Sequence, residues 1–353
     1  MKALVLSGGT GTRLRPLTHS MPKQLMPVAG RPILLHCLDN IRAIGITEVG
    51  IVVGEHAEAI EAAVGDGSAL GLDITYLRQE APLGLAHCVL LARDFLGADD
   101  FVLYLGDNVL VPGIAEAAAD FRRRRPAAQL MLAKVADPRA YGVAELESDG
   151  RIRALVEKPR QPRSDLAVIG VYFFTPAVHA AVRATTPSDR GELEITDAIG
   201  RLLHTGQRVV GAEYAGYWKD AGSPDDLLES NRVLLAAVRA EVRGTVDRAT
   251  ALHGPVVIEE GAVVTRSQLT GPVVIGAGSR VNGSTVGPHV TLGRECLLQD
   301  AGISDSIVLD GVSIQGVRGL SGSLIGRSAT VRTAGPAHRR LIIGDHCRAE
   351  VAA

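Results

Sequence analysis

Two rhythms of apolar and polar positions divide this chain. In its first third, short apolar runs such as Ala3 to Leu6 and Phe101 to Leu105 are separated by longer stretches whose apolar residues fall three and four apart. The short runs, rich in Val, Ile and Leu and bounded by Gly or Asp, read as buried strands, and the wider spacing reads as helices with one apolar stripe. This predicts strands at residues 3–6, 49–53, 74–77 and 101–105, with helices at about 32–43, 57–64 and 86–95. Such alternation packs as a mostly parallel sheet covered by helices, an α/β class, and puts ligands beyond the carboxyl ends of the strands. From about residue 254 the rhythm changes. GPVVIEEGA, GPVVIGAGS and GPHVTLGRE recur, and Ile258, Ile275, Leu292 and Leu309 step by 17, with Ile325 and Ile343 near register. A unit this short cannot enclose a core alone, so successive turns must stack. Within one turn Ile275, Val281, Val286 and Leu292 are five or six apart, which predicts a three-sided parallel coil.

A helical stretch over 224–243 links the two rhythms, and residues 333–340 interrupt the repeat and are expected to protrude. The predicted division is a first domain over 1–235, a linker over 236–253 and a solenoid over 254–353. Cutting near Arg243 is expected to leave the first domain folded.

Composition narrows the class. Charge is nearly balanced, at −2 over 353 residues, and no apolar run is long enough for a membrane span. The chain opens on a strand without the layout of a signal peptide, so a cytoplasmic, soluble protein is expected, with no membrane partner. Cys37, Cys88, Cys296 and Cys347 are scattered, which argues against disulfide and zinc scaffolds. The basic run Arg122 to Arg125 follows a helical pattern and lacks interleaved aromatics, so no nucleic-acid partner is expected. Only five of the 37 basic side chains are lysines, and three of these, Lys23, Lys158 and Lys219, stand among polar residues at the ends of apolar strands. A compact ammonium reaches a phosphate where the guanidinium fork does not fit.

The loop after the first strand, GGTGTRLRPLT, carries Gly8, Gly9 and Gly11 followed by Arg13 and Arg15. Glycines let successive N–H groups turn toward one anion while the arginines supply charge. The loop is neither a Walker loop nor GxGxxG, since both spacings fail. Gln79 and Gly84, after the third strand, could read the polar edge of a base. Asp107 in LGDN and Asp220 in YWKDAG are carboxylates available to one phosphate-bound cation. Glu157 beside Lys158 suits a ligand carrying hydroxyls and a phosphate.

The series GGTGTRLRPLT, PKQLMPV, Gln79 with GLA, GDN, YGV, EKP, GVYFF, GELEITD and W-x-D resembles the sugar-1-phosphate nucleotidyltransferases, most closely the glucose-1-phosphate thymidylyltransferases, over about residues 1–235. The resemblance implies a Rossmann-like domain, and the repeat is similar to the left-handed β-helix of hexapeptide-repeat proteins, as in the long-form thymidylyltransferases. It further implies that Gly8, Gly9, Gly11, Thr12, Arg13 and Gln24 hold the nucleotide, that Lys23 neutralises the transferred phosphoryl group, and that Gln79 and Gly84 recognise the pyrimidine. Asp107 and Asp220 would bind Mg²⁺. Asn108, Tyr141, Gly142, Glu157, Lys158, Gly170, Tyr172 and Trp218 would form the sugar-phosphate side. Ala221 departs from the Thr usual in W-x-D-T-G.

The implied reaction is in-line attack of a sugar 1-phosphate oxygen on the α-phosphorus of dTTP, giving dTDP-glucose and pyrophosphate. The nucleophile is already ionised, so neither a general base nor a covalent intermediate is required. Three other readings remain open at this stage: use of UTP, an added acyltransfer step with His253, His289 or His346 as base, and a non-catalytic scaffold. The solenoid predicts a homo-oligomer.

Overall fold

The computed structural model describes residues 1–9 and 11–333. Two compact units are present. One holds the first strand with its Gly8–Gly9 exit and Ile33–Asp220; the other holds Gly11–Pro32 and the chain from Ala221 on.

The first unit is built on a nine-stranded sheet. Four strands, Asp73–Arg78, Glu48–Val53, Lys2–Ser7 and Phe101–Leu105, lie side by side in that order and are all parallel. They are the four predicted strands, joined by the predicted helices Ile33–Ala43 and Ala57–Val64 and by a third that breaks at Ala92 into Leu85–Leu91 and Arg93–Leu96. Ala3, Leu4 and Val5 are fully buried, as residues of a strand covered on both faces must be. Beyond Phe101–Leu105 the sheet turns antiparallel. Leu166–Phe174 pairs antiparallel with Phe101–Leu105, Ala128–Lys134 and Gly142–Leu146, and Ile152–Glu157 returns along Gly142–Leu146. The short connection over residues 147–151 permits only an antiparallel return, whereas a parallel one needs a crossover. The α/β expectation therefore holds, with a sheet that is parallel in one half and mixed in the other.

The second unit contains the solenoid. Its strands form three wholly parallel sheets of six, six and four strands, which fits the expected left-handed β-helix. Ile258, Val264, Leu269, Ile275, Val281 and Val286 point into one continuous apolar core. At the corners, buried serines accept the N–H of the next coil: Ser267 Oγ from Ser284, Ser284 Oγ from Ala301, Ser279 Oγ from Cys296. Two expectations are corrected. Leu292 pairs with Val308, not Leu309, because Ser304 and Asp305 replace the Gly-Pro corner of earlier coils and the turn is one residue shorter. The linking helix spans Pro224–Leu235 and stops short of Arg243, because Glu241–Val242 pairs with Val257–Ile258; that strand, Thr245–Val246 and Ala251–His253 all lie within the span read as a linker. Ile343, His346, Cys347 and most of the interruption at 333–340 lie outside the described residues.

Gly11–Pro32 packs within this second unit. Asn231, 1 % exposed, sits at the joint: its Oδ1 accepts from the Ala29 N–H at 2.8 Å and from Thr291 Oγ1 at 2.7 Å, and its Nδ2 donates to the His289 carbonyl at 3.4 Å. A Cβ on Gly30 would come within 3.1 Å of Val274, and one on Gly326 within 3.0 Å of Leu17.

Candidate active site

In the first unit the parallel strands deliver their following loops to one sheet edge. Gly8 and Gly54, which follow the Lys2–Ser7 and Glu48–Val53 strands, are so close that a Cβ on Gly54 would lie 3.8 Å from Gly8 Cα. Gly8 also faces Gln79, whose Oε1 would lie 3.7 Å from a Cβ at Gly8. These residues, with Glu55, Arg78 and Pro82, line a cavity of about 440 Å³. Gly84 has φ +99°, and a Cβ there would stand 2.4 Å from the Leu193 carbonyl, so only glycine fits. That abutment is sealed by Ala86 N donating to Leu193 O at 3.0 Å and Leu193 N donating to Leu83 O at 2.8 Å.

The carboxylates are organised by a two-stranded ribbon, Asn108–Val111 with Tyr217–Asp220. Its antiparallel register sets Asp220 opposite Asn108, the residue after Asp107, so positions 113 apart in sequence become neighbours. Asn108 is 3 % exposed; its Nδ2 donates to Asp107 Oδ1 at 2.9 Å and its Oδ1 accepts from Trp218 Nε1 at 2.6 Å. The Trp218 ring meets Tyr141 edge-on at 5.5 Å between centroids. Gly170, at φ +73° in an irregularity of the Leu166–Phe174 strand, leaves room for Asn108, whose Nδ2 would be 3.1 Å from a Cβ there.

Glu157 is bracketed by Lys158 Nζ at 3.7 Å, Arg190 Nη2 at 3.5 Å and Thr196 Oγ1, which donates at 3.2 Å. Burial raises its carboxyl above the usual value, with Lys158 opposing. Arg190 is itself tied to Glu194 at 2.6 Å. A Cβ on Gly142 would strike Thr196 Cγ2 at 2.9 Å. The Lys158 N–H donates to the Tyr141 carbonyl at 3.0 Å, joining the YGV and EKP motifs. Tyr172 is a core residue, 4 % exposed and stacked on Phe174; burial raises its phenol and Glu157 raises it further.

From Gly11 on, the glycine loop belongs to the second unit. Gly11, at φ +62°, precedes the turn Thr12–Leu14, and a Cβ on it would press on Thr18 at 3.0 Å and Lys23 at 3.2 Å. Thr18 Oγ1 donates to the Gly11 carbonyl at 2.8 Å, and buried Leu14 anchors the turn. Arg13 lies against Gly222, where a Cβ would overlap the guanidinium, which explains the glycine of YWKDAG. Gln24 is buried beside Lys23 with an unpaired Oε1. Ser223, not Asp220, caps the helix Pro224–Leu235, its side chain accepting from the Asp226 N–H.

The nucleotidyl transferase family matches residues 2–237. The chain belongs to that family. It is 53 % identical to a glucose-1-phosphate thymidylyltransferase of Streptomyces griseus and 51 % identical to one of Streptomyces antibioticus, each comparison covering 99 % of both chains. A crystal structure of a candidate glucose-1-phosphate thymidylyltransferase from Bacillus anthracis, bound to sucrose, superposes with TM-score 0.62 at 35 % identity, covering 66 % of this chain and 94 % of that one. The resemblance drawn from the motifs is borne out.

Arg190, Glu194 and Thr196, which frame Glu157, were missed as individual residues in this nucleotidyl transferase, although Glu194 and Thr196 stand inside the GELEITD motif. His87, which meets the Gln79 side chain, gave no signal beyond its place after GLA. Among the described residues no helix is long and apolar enough to cross a membrane.

Proposed function

We infer that this nucleotidyl transferase transfers the thymidylyl group of dTTP to glucose 1-phosphate. The observation that carries the reading is the end-to-end identity of 53 % and 51 % with two glucose-1-phosphate thymidylyltransferases, solenoid included. A phosphate oxygen of the sugar phosphate attacks the α-phosphorus, the bond from that phosphorus to the bridging oxygen breaks, and pyrophosphate leaves with the electron pair. Both reactants are anions, so the protein's task is charge neutralisation and alignment. Gly8, Gly9, Gly11, Thr12, Arg13 and Gln24 take the triphosphate and nucleoside, with Lys23 at the α-phosphoryl group. Gln79 and Gly84 read the base. Glu157 accepts from sugar hydroxyls while Lys158 takes the phosphate, and Gly142 and Gly170 leave room for Glu157, Thr196 and Asn108 beside them. Asn108, Tyr141 and Trp218 complete that side, and Tyr172 supports Glu157 from the core.

The donor set fits Mg²⁺. No cluster of three or more metal-ligating side chains occurs among the described residues, and Asp107 with Asp220 supplies the one or two carboxylates that Mg²⁺ takes when phosphates and water fill its other positions. When bound, the ion offsets phosphate charge. The solenoid supports a further proposal of homo-oligomer formation. Pyrophosphate release, measured across dTTP, UTP and several sugar 1-phosphates with Mg²⁺ present, tests the assignment. Activity confined to other pairs of substrates overturns it.

A further inference from the structure

The Gln79 amide stands between two neighbours with opposite demands. Its Nε2 is 2.9 Å from His87 Nδ1, while its Oε1 is the atom turned toward Gly8. An amide nitrogen carries only donors, so in this contact Nδ1 offers its lone pair and the ring proton sits on Nε2. The next residue on the helix, Cys88, is buried, and its thiol is pushed up to about 12, chiefly by burial, with the Gln79 side chain opposing the rise. His87 is itself well placed, because the start of the Leu85–Leu91 helix is fixed by the two backbone bonds to Leu193.

We propose that His87 determines base specificity by fixing which end of the Gln79 amide faces the nucleotide. The inference rests on the reading of Gln79 as the residue that meets the base. With Nε2 held by His87, only the carbonyl oxygen is presented toward the glycine loop. Thymine and uracil carry N3–H and bond to such an acceptor; cytosine carries a bare N3 lone pair and is repelled. Without His87 the amide could turn through half a revolution and present N–H, which suits cytosine. Sites that pair a polar group with one substrate and leave it unpaired with another discriminate far more strongly than apolar pockets do. The thymine methyl plays no part in this contact, so His87 separates thymine and uracil from cytosine and leaves dTTP and UTP in their original ratio.

The test measures pyrophosphate release with dTTP, UTP and dCTP for the wild-type protein, His87→Leu, His87→Ala and Gln79→Leu, with thermal melts to show folding. Histidine ¹⁵N shifts of the wild-type protein report the tautomer. We expect Nδ1 of His87 unprotonated, and a preference for dTTP over dCTP that falls roughly tenfold in either His87 variant, the size of one hydrogen bond, while the dTTP to UTP ratio holds. Gln79→Leu should also lose the preference. If it does and the His87 variants do not, His87 is not the determinant; a proton on Nδ1 likewise overturns the proposal, and does so even if no His87 variant folds. If Gln79→Leu leaves the preference intact, the base-reading assignment of Gln79 fails first and takes the proposal with it.

Discussion

Lys158 is held at φ 41°, a conformation that costs a non-glycine residue energy and is kept only where the surroundings enforce it. Its N–H bond to Tyr141 does so, and Lys158 Nζ is thereby set beside Glu157. If Lys158 takes the sugar phosphate and Lys23 the reacting phosphoryl group, as proposed, Lys158→Ala should mainly raise KM for the sugar phosphate, whereas Lys23→Ala should lower kcat by roughly 10²-fold. Steady-state kinetics with each substrate varied separates the two, and a raised KM for the nucleotide alone in Lys158→Ala would mean their roles are exchanged. Glu157 carries a pH signature. Its folded pKa is raised by burial, so the stability it contributes is fully present below the ordinary carboxylate value and is lost as pH rises through the raised folded value. Glu157→Gln should therefore melt higher than wild type at neutral pH and lose this component of the pH dependence, while binding the sugar phosphate less well. Melting curves from pH 3 to 8 check the sign; a variant with the wild-type pH dependence speaks against the assigned cause.

Among the elements, the ribbon of Asn108–Val111 and Tyr217–Asp220 matters most, because its register alone makes neighbours of Asp107 and Asp220. If both grip one Mg²⁺, then Asp107→Asn and Asp220→Asn should each lower activity strongly and move the Mg²⁺ midpoint upward, and the double variant should lose little more than either alone. Activity measured against Mg²⁺ concentration decides it, and additive losses with a fixed midpoint would rule out the shared ion.

On the scale of the whole molecule, the chain does not divide where its sequence motifs do. Gly11–Pro32, with Arg13 and Lys23, belongs to the same compact unit as the solenoid, held through Asn231, Val274 and Leu17. Truncation near Arg243 therefore removes Thr291, Val274 and Gly326 from beside this segment, while the nine-stranded sheet keeps its own core. The truncated protein should lose turnover on the order of 10²-fold, as small misplacements of reacting groups do, and should be cut faster by protease within residues 11–32. Asn231→Leu is the point version: it takes the acceptor from the buried Thr291 hydroxyl and from the half-buried Ala29 N–H, a loss of about 1–3 kcal/mol, to be read from a melt. A truncated protein with unchanged kcat would mean that the solenoid does not support the loop.

Much was legible in one dimension because its causes are local. Apolar runs set the four parallel strands, and the 17-residue repeat set the three-sided coil. What tertiary structure decided were the partners. The pairing of Asp220 with Asn108 depends on a ribbon whose strands are distant in sequence; the framing of Glu157 by Arg190 and Thr196 depends on a loop and the start of the following helix reaching the end of a strand; and the placing of Lys23 and Arg13 with the solenoid involves the packing of Gly30 and Leu17 and a buried asparagine, Asn231, that shares its two polar ends among Ala29, His289 and Thr291. Hydrophobic periodicity specifies which face of an element is buried, whereas hydrogen-bond partners far apart in sequence are specified only when packing brings complementary donors and acceptors within reach.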